Sequence, residues 1–159
     1  MNIPFISEEI IDHCADRLSD TEEYYTDAVE NMKNQQPILL SYLFSENFQM
    51  LTQEERDYML YLTLVIWEAV QQVQISLGGI ETEDIEAKEE KNWQMLNDSK
   101  ARMFKERLDG FFQNTKQEDL LAFVEDALVE DEEEQQIVTK EGKELLFIGL
   151  KTVIDCLCD

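Results

Sequence analysis

A single histidine lies among carboxylates near the start of the chain, and this is the first group of residues that could hold a metal ion. Glu9 precedes His13 by four residues and Asp16 follows it by three, so the three would share one face of a helix. A ferritin-like di-iron site needs two Glu-x-x-His motifs on separate helices. Because geometry rather than proximity decides metal binding, we interpret His13 as a surface residue and expect no metal or other cofactor.

The cysteines are the second set of residues that could do chemistry. Cys14 is next to His13, but neighbours on a helix point about 100° apart, and Cys14 falls on the apolar side, where it would pack as a small hydrophobe. Cys156 and Cys158 are interpreted as free thiols at a chain end. An odd set of 3 Cys indicates a reducing compartment. The first ten residues also lack the pattern of a secretory signal, so we expect a cytoplasmic location.

Motifs of the common enzyme classes do not occur in the sequence. We find neither a phosphate-binding loop, nor a dinucleotide fingerprint, nor a Gly-x-Ser-x-Gly elbow. The sequence therefore predicts no catalytic residue and leans against an enzyme. A carboxylate-based enzyme, with or without a metal, is the alternative.

Acidic residues dominate the composition, with 36 Asp and Glu against 13 Lys and Arg and a net charge of −23. Nucleic acid and anionic lipid attract basic clusters, so neither is an expected partner. Seven acids at spacings of three and four form a row along the first segment: Glu8, Asp12, Asp16, Asp20, Glu23, Asp27 and Glu30. This acidic row is either the solvated face of an amphipathic helix or a surface that steers a basic protein partner towards it.

A nucleic-acid mimic built on acidic helix faces is a further alternative. Duplex DNA carries one charge per roughly 1.7 Å of axis, whereas acids four residues apart on a helix recur every ~6 Å. One row is therefore too sparse, and several helices would have to align theirs. The run of acids from Glu130 to Glu134 is interpreted as a solvated linker or a frayed helix end.

The stretch "YMLYLTLVIWEAV", Tyr58 to Val70, is the most apolar part of the chain. A membrane span needs roughly 20 apolar residues, and Glu68 with the glutamines that follow interrupts this one too soon. We predict a central core helix over about residues 53–77, which begins at the Thr52–Glu55 capping box and ends at Gly78 and Gly79. Its polar edge, with Tyr61, Glu68 and Gln72, is a minor functional candidate that another helix could partly cover.

The remaining apolar periodicity predicts an all-α fold in one domain, residues 1–159. We expect a compact bundle of about five to seven mostly antiparallel helices with short links, or a helical-hairpin stack. The first segment begins at Ser7 and is either one helix or two, with a break near residues 18–20 where Ser19 and Glu22 fit a capping box. A short helix follows over about 37–45, a long one over about 83–113 and a last one over about 140–157.

These observations predict a soluble helical protein that acts through protein–protein contacts, as a binding or regulatory module for a basic partner. Met95 and Phe112 lie off the main apolar arc of the predicted long helix, so they are candidates for a contact patch. Self-association through such a patch, giving a homo-oligomer, is another option.

Overall fold

The computed structural model describes residues 3–74, 77–129 and 137–159, and these ranges are helical without any β-strand. The all-α prediction is therefore confirmed. Six of the helices have 12 or more residues. The elements are α1 (Glu8–Asp20), α2 (Glu22–Gln35), α3 (Pro37–Leu43), a 3-10 turn (Glu46–Phe48), α4 (Gln53–Val73), α5 (Thr82–Asp98), α6 (Phe104–Arg107), α7 (Asp109–Gln113), α8 (Glu118–Val129) and α9 (Lys140–Cys158).

Two helices, α4 and α9, form the centre of the molecule and pack against each other. Helices α5 and α8 pack on α9, α1 packs on α4 and α8, and α2 lies outside against α1 and α4. Helix α4 contains the stretch Tyr58–Val70, which is a core helix as predicted. None of the described helices is long and apolar enough to cross a membrane.

Helix α9 is even more enclosed than α4, since 13 of its 19 residues are buried against 10 of 21 in α4. Two glycines on one face of α9 allow the two central helices to approach closely. A Cβ at Gly149 would lie 2.4 Å from Met59 Cε, and one at Gly142 would lie 1.8 Å from Glu55 Oε2. The seven-residue spacing puts both glycines on one side, about two turns apart, so a larger side chain at either position requires the Glu55 or the Met59 side chain to move.

Threonine and serine side chains set the helix starts. Ser7 accepts the Ile10 amide at the start of α1, and Thr52 forms the predicted capping box with Glu55. The first segment is two helices, because the side chain of Thr21 accepts the Tyr24 amide and starts α2. Ser19 is not the cap: its hydroxyl makes a hydrogen bond of 3.2 Å with Tyr61 OH instead.

The predicted end of the core helix is wrong. Helix α4 ends at Val73, Gln74 is extended, and neither Gly78 nor Gly79 has the left-handed conformation of a helix stop. The buried side-chain amide of Gln36 donates to the Gly78 carbonyl at 3.2 Å. This contact ties the glycine segment to the junction of α2 and α3, and α4 ends four residues before the predicted position.

The predicted long helix over 83–113 is also wrong, because α5 ends at Asp98 and two short helices follow. Ser99 is extended, and its hydroxyl accepts the Ala101 amide at 3.4 Å. A serine that bonds the backbone locally competes with helix continuation. Beyond the break, Phe104 and Phe111, on α6 and α7, both pack edge-on against Phe147 of α9.

Candidate functional site

The acidic row lies on the outside of the molecule, and all seven of its acids are exposed. The break at Thr21 divides it into four acids on α1 and three on α2. None of the seven is ion-paired with another residue of the described chain. The row thus forms two adjoining acidic faces rather than the single continuous one that an unbroken helix would give.

Arg17 is the basic residue nearest in sequence to the middle of the acidic row, and it forms no ion pair with the row. The guanidinium of Arg17 lies 4.7 Å from the centroid of the Tyr24 ring, a cation–π contact. Arg17 also acts on Glu68, whose pKa it lowers. Arg17 therefore interacts with Tyr24 on α2 and with Glu68 on α4, and it forms no ion pair with the seven acids of the row.

The weak metal candidates do not form a site. Glu9, His13 and Asp16 are all exposed on α1. Across residues 3–74, 77–129 and 137–159, no group of three or more His, Cys, Asp or Glu side chains is placed to hold a metal ion. The three residues belong to the outer face of α1.

The polar edge of α4 is covered by α1 and α2, except at Gln72, which is exposed. Tyr61 OH lies 3.4 Å from the Ala15 carbonyl, to which it donates. Tyr24 OH donates to Glu68 Oε2 at 3.5 Å. Burial raises the pKa of the Glu68 carboxyl, while Arg17 and the bond from Tyr24 oppose that rise, so Glu68 is a half-buried acid at a helix interface.

The thiols are not prepared for nucleophilic chemistry. Burial raises the pKa of Cys14 to about 11, and the nearby Glu68 adds to the effect. Burial also raises the pKa of Cys156 and of Cys158 to about 12. Since the thiolate is the reactive form, these three cysteines pack as neutral groups. Cys158 is buried within the last turn of α9 and not part of a frayed end.

A buried polar network joins α5 to α9, and sequence periodicity did not reveal it. The side-chain amide of Asn92 donates to Thr152 Oγ1 at 3.2 Å and to Asp155 Oδ2 at 3.1 Å. Lys151, one turn before Asp155, forms an ion pair with its other oxygen. Lys88 Nζ donates to the Asp155 carbonyl at 3.1 Å. These residues are hereafter called the α5–α9 network: Lys88, Asn92, Lys151, Thr152 and Asp155. Its polar groups bond to one another where the two helices meet.

A carboxylate on α5, that of Glu89, binds side chains of α3 and of the 3-10 turn. Glu89 accepts hydrogen bonds from Tyr42 OH and from Asn47 Nδ2, the latter at 3.0 Å. Burial and the bond to Glu89 both raise the pKa of Tyr42. The tyrosine is therefore a hydrogen-bond donor at any physiological pH and fixes α3 on α5.

A cleft of about 430 Å³ lies beside the end of α9. Its lining is apolar at Ile3, Leu77 and Leu157 and polar at Asp84 and Lys88. The ammonium of Lys88 is already bound to the Asp155 carbonyl. Cys156 also lines the cleft, and because its pKa is raised by burial it is present there as a neutral thiol.

Glu55 has a larger structural role than its capping box indicated. Its Oε1 accepts the Thr52 amide at 2.9 Å, and its Oε2 accepts both the amide and the hydroxyl of Thr139 at 3.0 Å. Thr139 in turn caps α9 through the Gly142 amide at 2.9 Å. One buried carboxylate therefore holds the N-termini of both central helices, where helix dipoles favour a negative charge.

Comparison of the chain with protein-family models, with curated proteins and with solved structures finds no match. Two kinds of polar group bear on the function. The α5–α9 network and Glu55 are hydrogen-bonded inside the bundle, and the acids of the acidic row on α1 and α2 face outwards.

Proposed function

We propose that this protein is a binding module that presents the acidic row on α1 and α2 to a basic protein partner. The observation that supports this is the exposure of all seven acids without an ion pair to the described residues. Such a surface attracts a basic partner over a distance and speeds encounter. The division of the row at Thr21 gives no support to the nucleic-acid mimic, which needs denser charge than one row supplies.

The enzyme alternative has weaker support. A catalytic carboxyl pair is expected in a cleft with pKa values driven apart. Within residues 3–74, 77–129 and 137–159, the carboxyls with a raised pKa are Glu68, at the interface of α4 with α1 and α2, and Glu125 on α8, where burial is again the main cause. Neither residue lines the cleft at the end of α9.

Two charge-neutralised proteins test the proposal. One carries Asp12→Asn, Asp16→Asn, Glu23→Gln and Asp27→Asn in the acidic row. The other carries Glu83→Gln, Glu86→Gln, Glu90→Gln and Asp98→Asn, which are exposed acids of α5. Each set removes four negative charges, so both variants have the same net charge and differ only in where the acids were.

The measurement is affinity capture from a cell lysate with the wild-type protein as bait, followed by mass spectrometry. We expect a basic protein that the α5 variant captures as well as wild type and the acidic-row variant loses. Capture should also fall as salt is raised from about 0.1 M to about 1 M, because the Debye length shrinks from roughly 10 Å to 3 Å. Equal capture by the two variants, or capture that salt does not change, contradicts the proposal.

A further inference from the structure

Two large apolar side chains are exposed in the connection between α3 and α4. Phe44 is 68% exposed and Met50 is 84% exposed. They lie six residues apart on either side of the 3-10 turn Glu46–Phe48. Two such side chains in water forgo the burial that their neighbours Phe48 and Leu51 achieve.

The backbone that carries these two residues is fixed. Phe48 and Leu51, on the inner side of the connection, are buried in the core. Consecutive turns are closed by backbone hydrogen bonds, from the Phe44 amide to the Ser41 carbonyl and from the Leu51 amide to the Phe48 carbonyl. Since the inner residues hold the connection in place, Phe44 and Met50 are held at fixed positions along it, and these two exposed side chains are hereafter called the apolar patch.

The chain segment that carries the apolar patch is acidic. Glu46, Glu54 and Asp57 are exposed acids of the same segment. From residue 34 to residue 60 the sequence contains one basic residue, Arg56, and its guanidinium donates to the Gln49 carbonyl at 2.8 Å. The patch therefore combines an aromatic and a methionine side chain, both common at recognition surfaces, with acidic groups in the same short segment.

We propose that the apolar patch is the anchor point for a basic amphipathic segment of a partner protein, with apolar side chains on Phe44 and Met50 and Lys or Arg against the acids. The inference rests on the proposed function and adds to it the place where a basic partner makes apolar contact. Helical segments with apolar residues at i, i+3, i+4 and i+7 bind in this way. A second copy of the chain does not fit, because a symmetric contact would bring acids against acids, and anionic lipid is repelled for the same reason.

The test uses two synthetic 18-residue peptides of Lys, Leu and Phe that carry a fluorescent label. In the first, Leu and Phe recur at helical spacing on one face. The second has the same composition in scrambled order, so it keeps the charge and loses the apolar face. Binding is measured by fluorescence anisotropy at about 0.15 M salt, where long-range attraction is screened beyond roughly 8 Å.

A matched pair of variants locates the contact. Phe44→Ser with Met50→Ser removes the apolar patch. Phe5→Ser with Met103→Ser removes one Phe and one Met that are exposed on other segments, by 53% and 64%. All four side chains are exposed, so we expect both variants to keep the far-UV spectrum and unfolding midpoint of wild type, as surface substitutions usually do.

We expect the amphipathic peptide to bind wild type more tightly than the scrambled one, and to bind the Phe44/Met50 variant about tenfold more weakly, the loss of one good anchor. The Phe5/Met103 variant should bind within about twofold of wild type. Equal binding of the two peptides by wild type, or equal loss in both variants, overturns the inference. If the acidic-row variant loses its captured partner while the patch variant keeps full peptide binding, the proposed function stands and the apolar patch fails.

Discussion

The polar residues of α9 and those of α1 and α2 are in opposite situations. In α9, Lys151 and Asp155 are paired with each other, and Asn92 reaches across from α5 to bond Asp155 and Thr152. In α1 and α2, the seven acids of the acidic row are in water without an ion pair to the described chain. Carboxylate side chains thus hold helices together in one region and are accessible to a partner in the other.

The difference indicates where function is to be sought in a protein with many acids. Charges inside a bundle are costly unless they are paired and hydrogen-bonded, so the paired ones are explained by the fold. Exposed acids at the outer helices need no partner within the chain. Their mutual repulsion lowers the stability of the folded protein slightly. A row of such acids is therefore either tolerated by the fold or used for binding.

The largest effect is expected when the α5–α9 network loses its carboxylate. Asp155→Ala would leave the buried ammonium of Lys151 without its ion-pair partner and would remove one of the two acceptors of the Asn92 amide. Breaking a buried pair from one side costs about 3–5 kcal/mol, and we expect that loss in the free energy of unfolding measured in urea.

The control for this prediction is the more exposed ion pair between Arg107 and Glu144. Its side chains are 20% and 39% exposed, against 10% and 15% for Lys151 and Asp155. Glu144→Ala should cost about 1 kcal/mol or less, as for partly solvated pairs. Equal losses in the two variants would mean that the α5–α9 network is not the stronger interaction.

The next largest effect is expected at the contact between the two central helices. In Gly142→Ala the new methyl would lie 1.8 Å from Glu55 Oε2, so the carboxylate must leave Thr139. Overpacking lowers the free energy of unfolding by about 1–3 kcal/mol. Loss of the Glu55 contacts at the N-termini of α4 and α9 would lower it by about 1 kcal/mol more, as the loss of a helix cap does.

Gly110→Ala is the matched control, because no atom lies within 4 Å of a Cβ built there. Removing a glycine at an unstrained position usually stabilises a protein by about 0.4–1 kcal/mol. Thermal unfolding of the two variants should therefore shift in opposite directions. A Gly142→Ala protein as stable as wild type would show that Glu55 does not hold α9.

A smaller effect is expected at Glu68, which lies between the two regions. Its carboxyl pKa is raised by burial, so the stability that the protonated form contributes is present below the ordinary value of 4.5 and lost as the pH rises through the folded pKa. At pH 7, Glu68→Gln should thus be more stable than wild type, by less than about 1 kcal/mol.

The urea midpoints of wild type and Glu68→Gln should converge as the pH is lowered towards about 4.5. Glu54→Gln, at an exposed position in the first turn of the same helix, should not gain stability at pH 7, because the helix dipole favours the negative charge there. A Glu68→Gln protein that is less stable at pH 7 would indicate that the contacts with Arg17 and Tyr24 outweigh the cost of burial.

Local patterns in the sequence predicted the helices well wherever a cap and an apolar arc occur together. Ser7 and the Thr52–Glu55 box start α1 and α4 as expected. The two wrong boundaries have distant or competing causes. Gln36 holds Gly78 from 42 residues away, and Ser99 bonds the backbone locally within a pattern that otherwise continues to Phe111.

The periodicity of the sequence could not predict the long-range contacts of the buried polar groups. Asp155 meets Asn92 across 63 residues, and Glu55 meets Thr139 across 84. A spacing pattern reports which side of a helix is polar and does not report which other helix covers that side. The acidic row was visible in the sequence because its members are neighbours, although the break at Thr21 decides that it is two faces.

The most direct test of the central claim measures stability and binding together in the acidic-row variant, Asp12→Asn, Asp16→Asn, Glu23→Gln and Asp27→Asn. If these acids serve a partner and not the fold, the free energy of unfolding in urea should equal or exceed that of wild type, while the basic partner is lost from affinity capture. A variant that is destabilised by more than about 2 kcal/mol, or that still captures the partner, would contradict the account.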